Sequence, residues 1–243
     1  MTFPRQADFS IDVAVAIRQL KDLHPALVVL TSPNNPTGTM LPTEDLVALL
    51  DASLAINAVV IVDEAYAEFR TAGTPSALEL LKSYPNLAVT RTMSKAFGLA
   101  GVRLGYAAAS AAIIDALRIV RLPYHLSAVS QVVAITALQH AEPLQAQVQT
   151  LRSERDALAS WLDEQGYETA RSDANFILFG RFVDRDAVWQ ALLDQGVLIR
   201  QSGPAGWLRV SIGTPDENDR FRRALTQARA IEQTQNVEQE AAR

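Results

Sequence analysis

The chain has 243 residues, a formal net charge of −5, 49% apolar and 20% charged residues, and no cysteine. That length can bury a large core, as one large domain or two smaller ones. The acidic balance gives no chain-wide basic field for nucleic acid, and the lack of cysteine removes disulfides, thiolate metal sites and cysteine nucleophiles, in keeping with a cytoplasmic protein.

The N-terminal residues Met1 to Asp8 contain no apolar h-region of a secretory signal, and the longest apolar runs are about strand length, too short to cross a bilayer. Ile11 to Leu23 repeats apolar residues at helical spacing, and Ala26 to Leu30 reads as a buried strand. A proline-bracketed turn follows, Ser32-Pro-Asn-Asn-Pro-Thr-Gly38. Thr43 is the expected N-cap of a helix with Glu44 and Asp45 in its first turn and Leu46 to Leu50 behind them. Ala58 to Val62 is a second buried strand leading into Asp63, Glu64 and Tyr66, and Leu87 to Thr90 is a third. Strands apolar on both faces and separated by helices predict an α/β fold with a parallel sheet covered on both sides.

Ser110 to Val120 reads as a helix, broken at Arg121-Leu-Pro-Tyr-His-Leu-Ser127 because proline cannot continue the hydrogen-bond ladder. Two long helical patterns follow, Ser127 to His140 and Leu144 to Gln165, with Gly166 as the expected C-cap. We expect a boundary near Ser127: residues 1–126 form the larger domain, and residues 127–235 form bridging helices plus a smaller C-terminal α+β domain. Its expected strands are 175–179, 197–200 and 207–212, with helices starting at Asp184 and Pro215. The chain turns polar after about Ile231, and 236–243 reads as a frayed polar tail. Internal repeats and low-complexity tracts are missing.

Three motifs fall at the carboxyl ends of the three predicted strands, where α/β sheets place their sites. Asn35 follows the first strand, Asp63 ends the second, and Lys95 follows the third within Arg91-Thr-Met-Ser-Lys-Ala-Phe-Gly-Leu-Ala-Gly-Val-Arg-Leu-Gly-Tyr106. A lysine among small residues suits an amine that bonds a cofactor aldehyde while nearby groups hold a phosphate. It must lose its proton first, and its reference pKa of about 10.4 leaves little free amine at neutral pH. Burial and nearby cations lower that value, and Arg91 and Arg103 are candidate sources of such a field. Asp63 closes an apolar strand, so it needs a cationic partner or good donors. Pro33 and Pro36 restrict the turn and fix the direction of an asparagine side chain, leaving open whether Asn34 or Asn35 faces the site. His24, His125 and His140 are scattered and form no metal or triad set, and neither a G-x-G-x-x-G nor a G-x-x-x-x-G-K-[ST] nucleotide motif occurs.

In this order, the three motifs resemble the pyridoxal-phosphate core of the class I/II aminotransferases, and within them the histidinol-phosphate aminotransferases. The resemblance runs from about Asp8 to the final helix. It implies an aspartate-aminotransferase-like large cofactor-binding domain with a smaller C-terminal domain. That large domain is expected to be N-terminally truncated, because the family's glycine-rich phosphate loop and ring-stacking aromatic have no counterpart before Pro33. It further implies pyridoxal 5'-phosphate as cofactor, bonded to Lys95, which also shuttles the proton between substrate and cofactor.

By the same resemblance, Asp63 faces the cofactor's ring nitrogen, Asn35 and Tyr66 donate to its phenolic oxygen, and Thr92, Ser94 and Arg103 anchor its phosphate. Gly98 and Gly101 are expected to permit close backbone approach. Arg209 is expected to grip the anionic end of the substrate, with Asn175 and Tyr124 as further substrate-side candidates. The implied reaction is transamination between glutamate/2-oxoglutarate and histidinol phosphate/imidazole-acetol phosphate in histidine biosynthesis, by a homodimer. An aromatic amino-acid transaminase of the same subfamily, a related phosphothreonine decarboxylase, and a non-catalytic remnant of the fold stay open as alternatives.

Overall fold

The computed structural model describes residues 2, 3 and 5–241, with side chains through Arg229. Two compact units divide the chain: residues 1–35 with 39–149, and residues 36–38 with 150–243. The division after Gln149 lies one helix beyond the boundary expected near Ser127.

In the first unit, helix α1 (Val13–Leu23) begins where the Asp12 carboxylate accepts from the Val15 N–H, and it ends at His24 in a left-handed conformation. Strand β1 (Leu27–Thr31) follows, then α2 (Thr43–Ala55) and β2 (Val59–Asp63). Thr43 is not the N-cap of α2: that place is taken by Pro42, whose extended backbone needs no N–H there and whose carbonyl accepts from Leu46. Strand β3 (Leu87–Thr92) and the return strand β4 (Gly105–Ala109) complete a four-stranded sheet in the order β1-β2-β3-β4. β1, β2 and β3 pair in parallel, while β4 runs antiparallel to β3. The expected all-parallel sheet is therefore mixed. β4 escapes a sequence reading because Gly105-Tyr-Ala-Ala-Ala109 lacks the β-branched residues that mark strands.

The core of this unit joins Val28, Leu30, Val60 and Val62 to Leu20 of α1 and Leu49 of α2. β1 departs from the expectation of a sheet covered on both faces, since Leu27 and Val29 are 51% and 59% exposed. Its side chains alternate between faces: Val28 and Leu30 meet the helices, and the face of Leu27 and Val29 is left uncovered among the described residues. Helices α3 (Ala111–Val120) and α4 (Ala128–Gln139) follow, and both carry exposed apolar side chains, among them Ile119, Val120, Val132 and Ile135.

Helix α5 (Ala141–Glu164) contains the division between the units. In the second unit β5 (Glu168–Thr169), β6 (Phe176–Gly180) and β7 (Trp207–Ser211) form an antiparallel sheet with β6, buried along its whole length, at the centre. Leu158 and Leu162 of α5, Val188 and Leu192 of α6 (Arg185–Asp194), and Phe221 and Leu225 of α7 (Pro215–Ala241) pack on that sheet's core. Gly166, at φ 82°, closes α5, with the Tyr167 N–H returning to the Leu162 carbonyl. The strand expected at 197–200 reduces to one bridge between Arg200 and Arg209, because the Val197 N–H is drawn back to Leu192 at the end of α6. α7 continues past Ile231, where the sequence predicts fraying; glutamine and glutamate sustain a helix even where no apolar stripe remains. Residues 242–243 of the expected tail lie outside the described residues.

Candidate active site

The candidate site of the first unit is built at the carboxyl ends of β1, β2 and β3. Thr31 is in register with Asp63, and Asp63 with Thr90, so the three strands reach this edge together. After β1 the chain turns on its own polar groups. The Leu41 N–H donates to Ser32 Oγ at 3.0 Å, the Asn34 N–H to the Thr39 carbonyl at 2.8 Å, and the Thr31 hydroxyl to Asn34 Oδ1 at 2.6 Å. Asn34 thereby braces the turn. Asn35 points the other way, its Nδ2 3.4 Å from Tyr66 Oη. Of the two asparagines left open by the sequence, Asn35 meets the site tyrosine.

Asp63 Oδ1 accepts from the Ala65 N–H at 3.0 Å and from the Thr90 hydroxyl at 3.4 Å. Its carboxylate enters no ion pair among the described residues. Tyr66 is buried at 8% exposure, just ahead of a short 3₁₀ turn at Ala67–Phe69, and Lys95 Nζ lies over its ring, 5.4 Å from the centroid. The Lys95 loop is held by its backbone. Met93 N–H donates to the Leu104 carbonyl, Leu99 N–H to the Met93 carbonyl, and Gly98 N–H to the Lys95 carbonyl. The Ser94 N–H donates to Thr92 Oγ1 at 3.1 Å, and the two hydroxyl oxygens are 3.0 Å apart.

Several expectations change. Lys95 is exposed rather than buried. Gly98 serves the loop through its left-handed backbone, φ 65°, and not through close approach, since a Cβ at Gly98 or Gly101 would meet nothing within 4 Å. Arg103, exposed and itself at φ 56°, donates from Nη1 to the Ala100 carbonyl at 3.0 Å. Tyr124 is 99% exposed and is not drawn into the group around Tyr66. Arg209 and Asn175 belong to the second unit. There Arg209 Cζ lies 4.7 Å from the Phe176 ring centroid, and the Asn175 carbonyl accepts from the Ile212 N–H.

A cluster on the other side of Asp63 carries charge that the sequence reading assigned elsewhere. Glu64 is 1% exposed. Its Oε2 accepts from Arg91 Nε at 3.0 Å, Arg91 Nη2 at 2.7 Å and the Ser76 hydroxyl at 2.8 Å, and its Oε1 from the Ala77 N–H at 2.8 Å and Arg70 Nη1 at 3.2 Å. Burial pushes its pKa up, but the Ala77 N–H, Arg70, Ser76 and Arg91 outweigh it and hold the carboxyl below the usual range. Glu68, 3.5 Å from Arg91, is pushed up by burial. The Arg91 guanidinium is thus engaged by carboxylates, not available as the expected cation for Lys95. One signal was legible: consecutive carboxylates at a strand end project to opposite sides, so Glu64 required cations of its own.

This edge gathers an amine, a phenol, a carboxamide, a carboxylate with no ion-pair partner among the described residues, and two hydroxyls. Such a set can hold a flat heteroaromatic ring through a charged nitrogen and a phenolate oxygen. No group of three or more His, Cys, Asp or Glu fit to hold a metal occurs among the described residues.

The family model for aminotransferase class I and II matches residues 1–225. The chain is 60% identical over 228 residues to a histidinol-phosphate aminotransferase of Thermobifida fusca, covering 94% of this chain and 61% of the relative. It is 52% identical over 245 residues to one of Bifidobacterium adolescentis, covering 94% of this chain and 63% of that protein. The chain thus spans about three-fifths of the length of these curated relatives. A crystal structure of histidinol-phosphate aminotransferase from Sinorhizobium meliloti in complex with pyridoxal-5'-phosphate superposes with a TM-score of 0.84, at 27% identity, covering 95% of this chain and 64% of that one.

Proposed function

Because this chain belongs to the class I and II aminotransferases, we propose that it carries the lysine-bearing part of a pyridoxal-phosphate-dependent histidinol-phosphate transaminase. The reaction would pass an amino group between glutamate/2-oxoglutarate and histidinol phosphate/imidazole-acetol phosphate. The carrying observation is the convergence of Asn35, Asp63, Tyr66 and Lys95 at one sheet edge, with Lys95 Nζ over the Tyr66 ring.

The donor set suits pyridoxal 5'-phosphate. Asp63, half-buried with neutral donors and no ion-pair partner among the described residues, matches a protonated ring nitrogen. Asn35 and Tyr66 offer an N–H and an O–H to a phenolate oxygen. Thr92 and Ser94 supply hydroxyls for a phosphate, and Arg103 is the proposed cation beside them. When bound, the cofactor supplies an aldehyde for the lysine and an electron sink for the substrate carbanion. Lys95 would bond that aldehyde through Nζ and carry a proton to or from the substrate carbon, and Asp63 would hold the ring nitrogen protonated. On β7, Arg209 is the proposed clamp for the substrate's phosphate or carboxylate, with Asn175 and Tyr124 as further substrate-side positions.

The proposal includes a homodimer, for which the exposed apolar residues Ile119, Val120, Leu122, Val129, Val132 and Ile135 provide a surface. It also includes a cytoplasmic setting, in keeping with a chain free of cysteine. No described helix is long and apolar enough to cross a membrane.

The test adds pyridoxal 5'-phosphate to the purified chain, then glutamate and imidazole-acetol phosphate. We expect a red-shifted cofactor band, bleached by glutamate and restored by the keto substrate, with histidinol phosphate formed faster than aromatic amino acids from their keto acids. A cofactor spectrum unchanged by the protein contradicts the proposal, and faster turnover of aromatic keto acids replaces its substrate.

A further inference from the structure

The ion cluster around Glu64 lies beside the proposed cofactor group without belonging to it. Glu64 follows Asp63 directly, and its own N–H donates to the Thr90 carbonyl at 2.9 Å, extending the β2–β3 pairing one residue past the strand end. Arg91 stands between Thr90, whose hydroxyl reaches Asp63, and Thr92, whose hydroxyl receives the Ser94 N–H. Both ends of the Glu64–Arg91 pair are therefore chain neighbours of site groups. The pair spans 27 residues of sequence and uses two guanidinium nitrogens on one carboxylate oxygen, a geometry that tolerates little displacement. Ser76 Oγ, accepting from Arg91 Nη2 at 3.0 Å, and Arg70, donating to the Pro75 carbonyl at 2.9 Å, close the cluster on its far side.

Buried ion pairs are poor stabilisers compared with apolar residues of equal volume, because desolvation offsets most of their attraction. Such a pair can instead hold the two backbones that carry it in one arrangement. We infer that Glu64 is a positioning residue of the candidate site: gripping Arg91 on β3 from the end of β2, it fixes the loop of Thr92, Ser94 and Lys95 relative to the Asp63 carboxylate. The inference rests on the functional reading above for the identity of the group held, but not for the positioning itself. The side-chain hydrogen bonds of Glu64 and Arg91 run to each other and to Arg70, Ser76, Ala77 and Glu68.

Two variants test it, Glu64→Gln, which keeps the shape and removes the charge, and Arg91→Lys, which keeps a charge and removes the fork. Backbone hydrogen exchange is measured on each protein without cofactor. We expect the Met93 and Leu99 amides, which are bonded to Leu104 and Met93, to accelerate at least about tenfold more than amides in the middle of α2, whose change reports the global loss of stability. In the same variants the dissociation constant for pyridoxal 5'-phosphate should rise about tenfold or more, since small misplacements of site groups are costly, and Arg91→Lys should fall between parent and Glu64→Gln. Unchanged exchange at Met93 and Leu99 in both variants overturns the inference, as does acceleration spread equally into α2, the mark of a merely stabilising role. Should Glu64→Gln fail to fold, Arg91→Lys carries the same readouts. A parent chain that does not bind the cofactor contradicts the functional reading alone, and the exchange rates still decide the positioning.

Discussion

The Asn35 carboxamide and the Tyr66 hydroxyl lie 3.4 Å apart across 31 residues of sequence, whereas Asn34 turns back to Thr31. The two adjacent asparagines therefore do different work, and substitution should separate them. Asn34→Ala leaves a brace of the turn unmade and should lower stability by about 1–3 kcal/mol in urea unfolding. Asn35→Ala removes a long hydrogen bond at an exposed position, so it should cost less stability than Asn34→Ala in the same unfolding measurement. It should instead weaken uptake of pyridoxal 5'-phosphate, read by absorbance titration.

Tyr66→Phe keeps the buried ring under Lys95 and removes only the hydroxyl shared with Asn35. A single hydrogen bond of this kind is worth about 1 kcal/mol, so the loss in cofactor affinity should be several-fold rather than complete. The pH at which the bound cofactor's absorbance changes should move upon this substitution, because one donor to the phenolate oxygen is gone. An unaltered titration would remove Tyr66 from the proposed cofactor ligands.

Acid should erase the contribution of Glu64. Its carboxyl is held below the ordinary value in the folded chain, so the folded state binds fewer protons there than the unfolded state does. The resulting stability is complete above the unfolded value of about 4.3 and is lost as pH falls from there through the lower folded value. Glu64→Gln should be less stable than the parent by about 3–5 kcal/mol at neutral pH, the usual cost of breaking a buried pair. That gap should shrink below about pH 4.3. Urea unfolding at neutral and acid pH measures both numbers, and a gap independent of pH contradicts the charge assignment.

Two glycines should respond unequally. Gly98→Ala meets open space, so its penalty is the left-handed backbone alone, about 1–2 kcal/mol. Gly38 also has positive φ, 77°, but a Cβ there would run into Ser172 Oγ and stand 2.7 Å from Ser172 Cβ. Gly38→Ala should therefore destabilise by more than Gly98→Ala, a ranking that urea titrations of the two variants check.

The apolar surface of α4 gives a test of the proposed dimer. Val132 and Ile135 are 62% and 56% exposed, and Ile135→Glu places a charge among them. Sedimentation should show the parent as a dimer and the variant as a monomer; a monomeric parent contradicts that part of the proposal.

Much of this was legible because each site residue follows an apolar run. Leu27–Thr31, Val59–Asp63 and Leu87–Thr92 differ from the runs read in the sequence only at their ends; Asn35 and Lys95 follow the first and third, and Asp63 closes the second. β4 was hidden because its alanines carry no strand preference. The Glu64–Arg91 pair was hidden because contacts 27 residues apart leave no periodic trace, and Arg91 read instead as a cation for Lys95. The exposure of Lys95, Arg103 and Tyr124 depends on what packs around them, which local pattern does not encode. Thr43 was misread as a cap since Pro42 fills that role with its carbonyl alone.

The most direct measurement compares the absorbance spectra of the parent chain and of Lys95→Ala after addition of pyridoxal 5'-phosphate and removal of the excess. The parent should retain a red-shifted cofactor band that borohydride fixes covalently to Lys95, and the variant should retain no such adduct. A parent that keeps no cofactor, or a variant that keeps the same reducible adduct, would contradict the account.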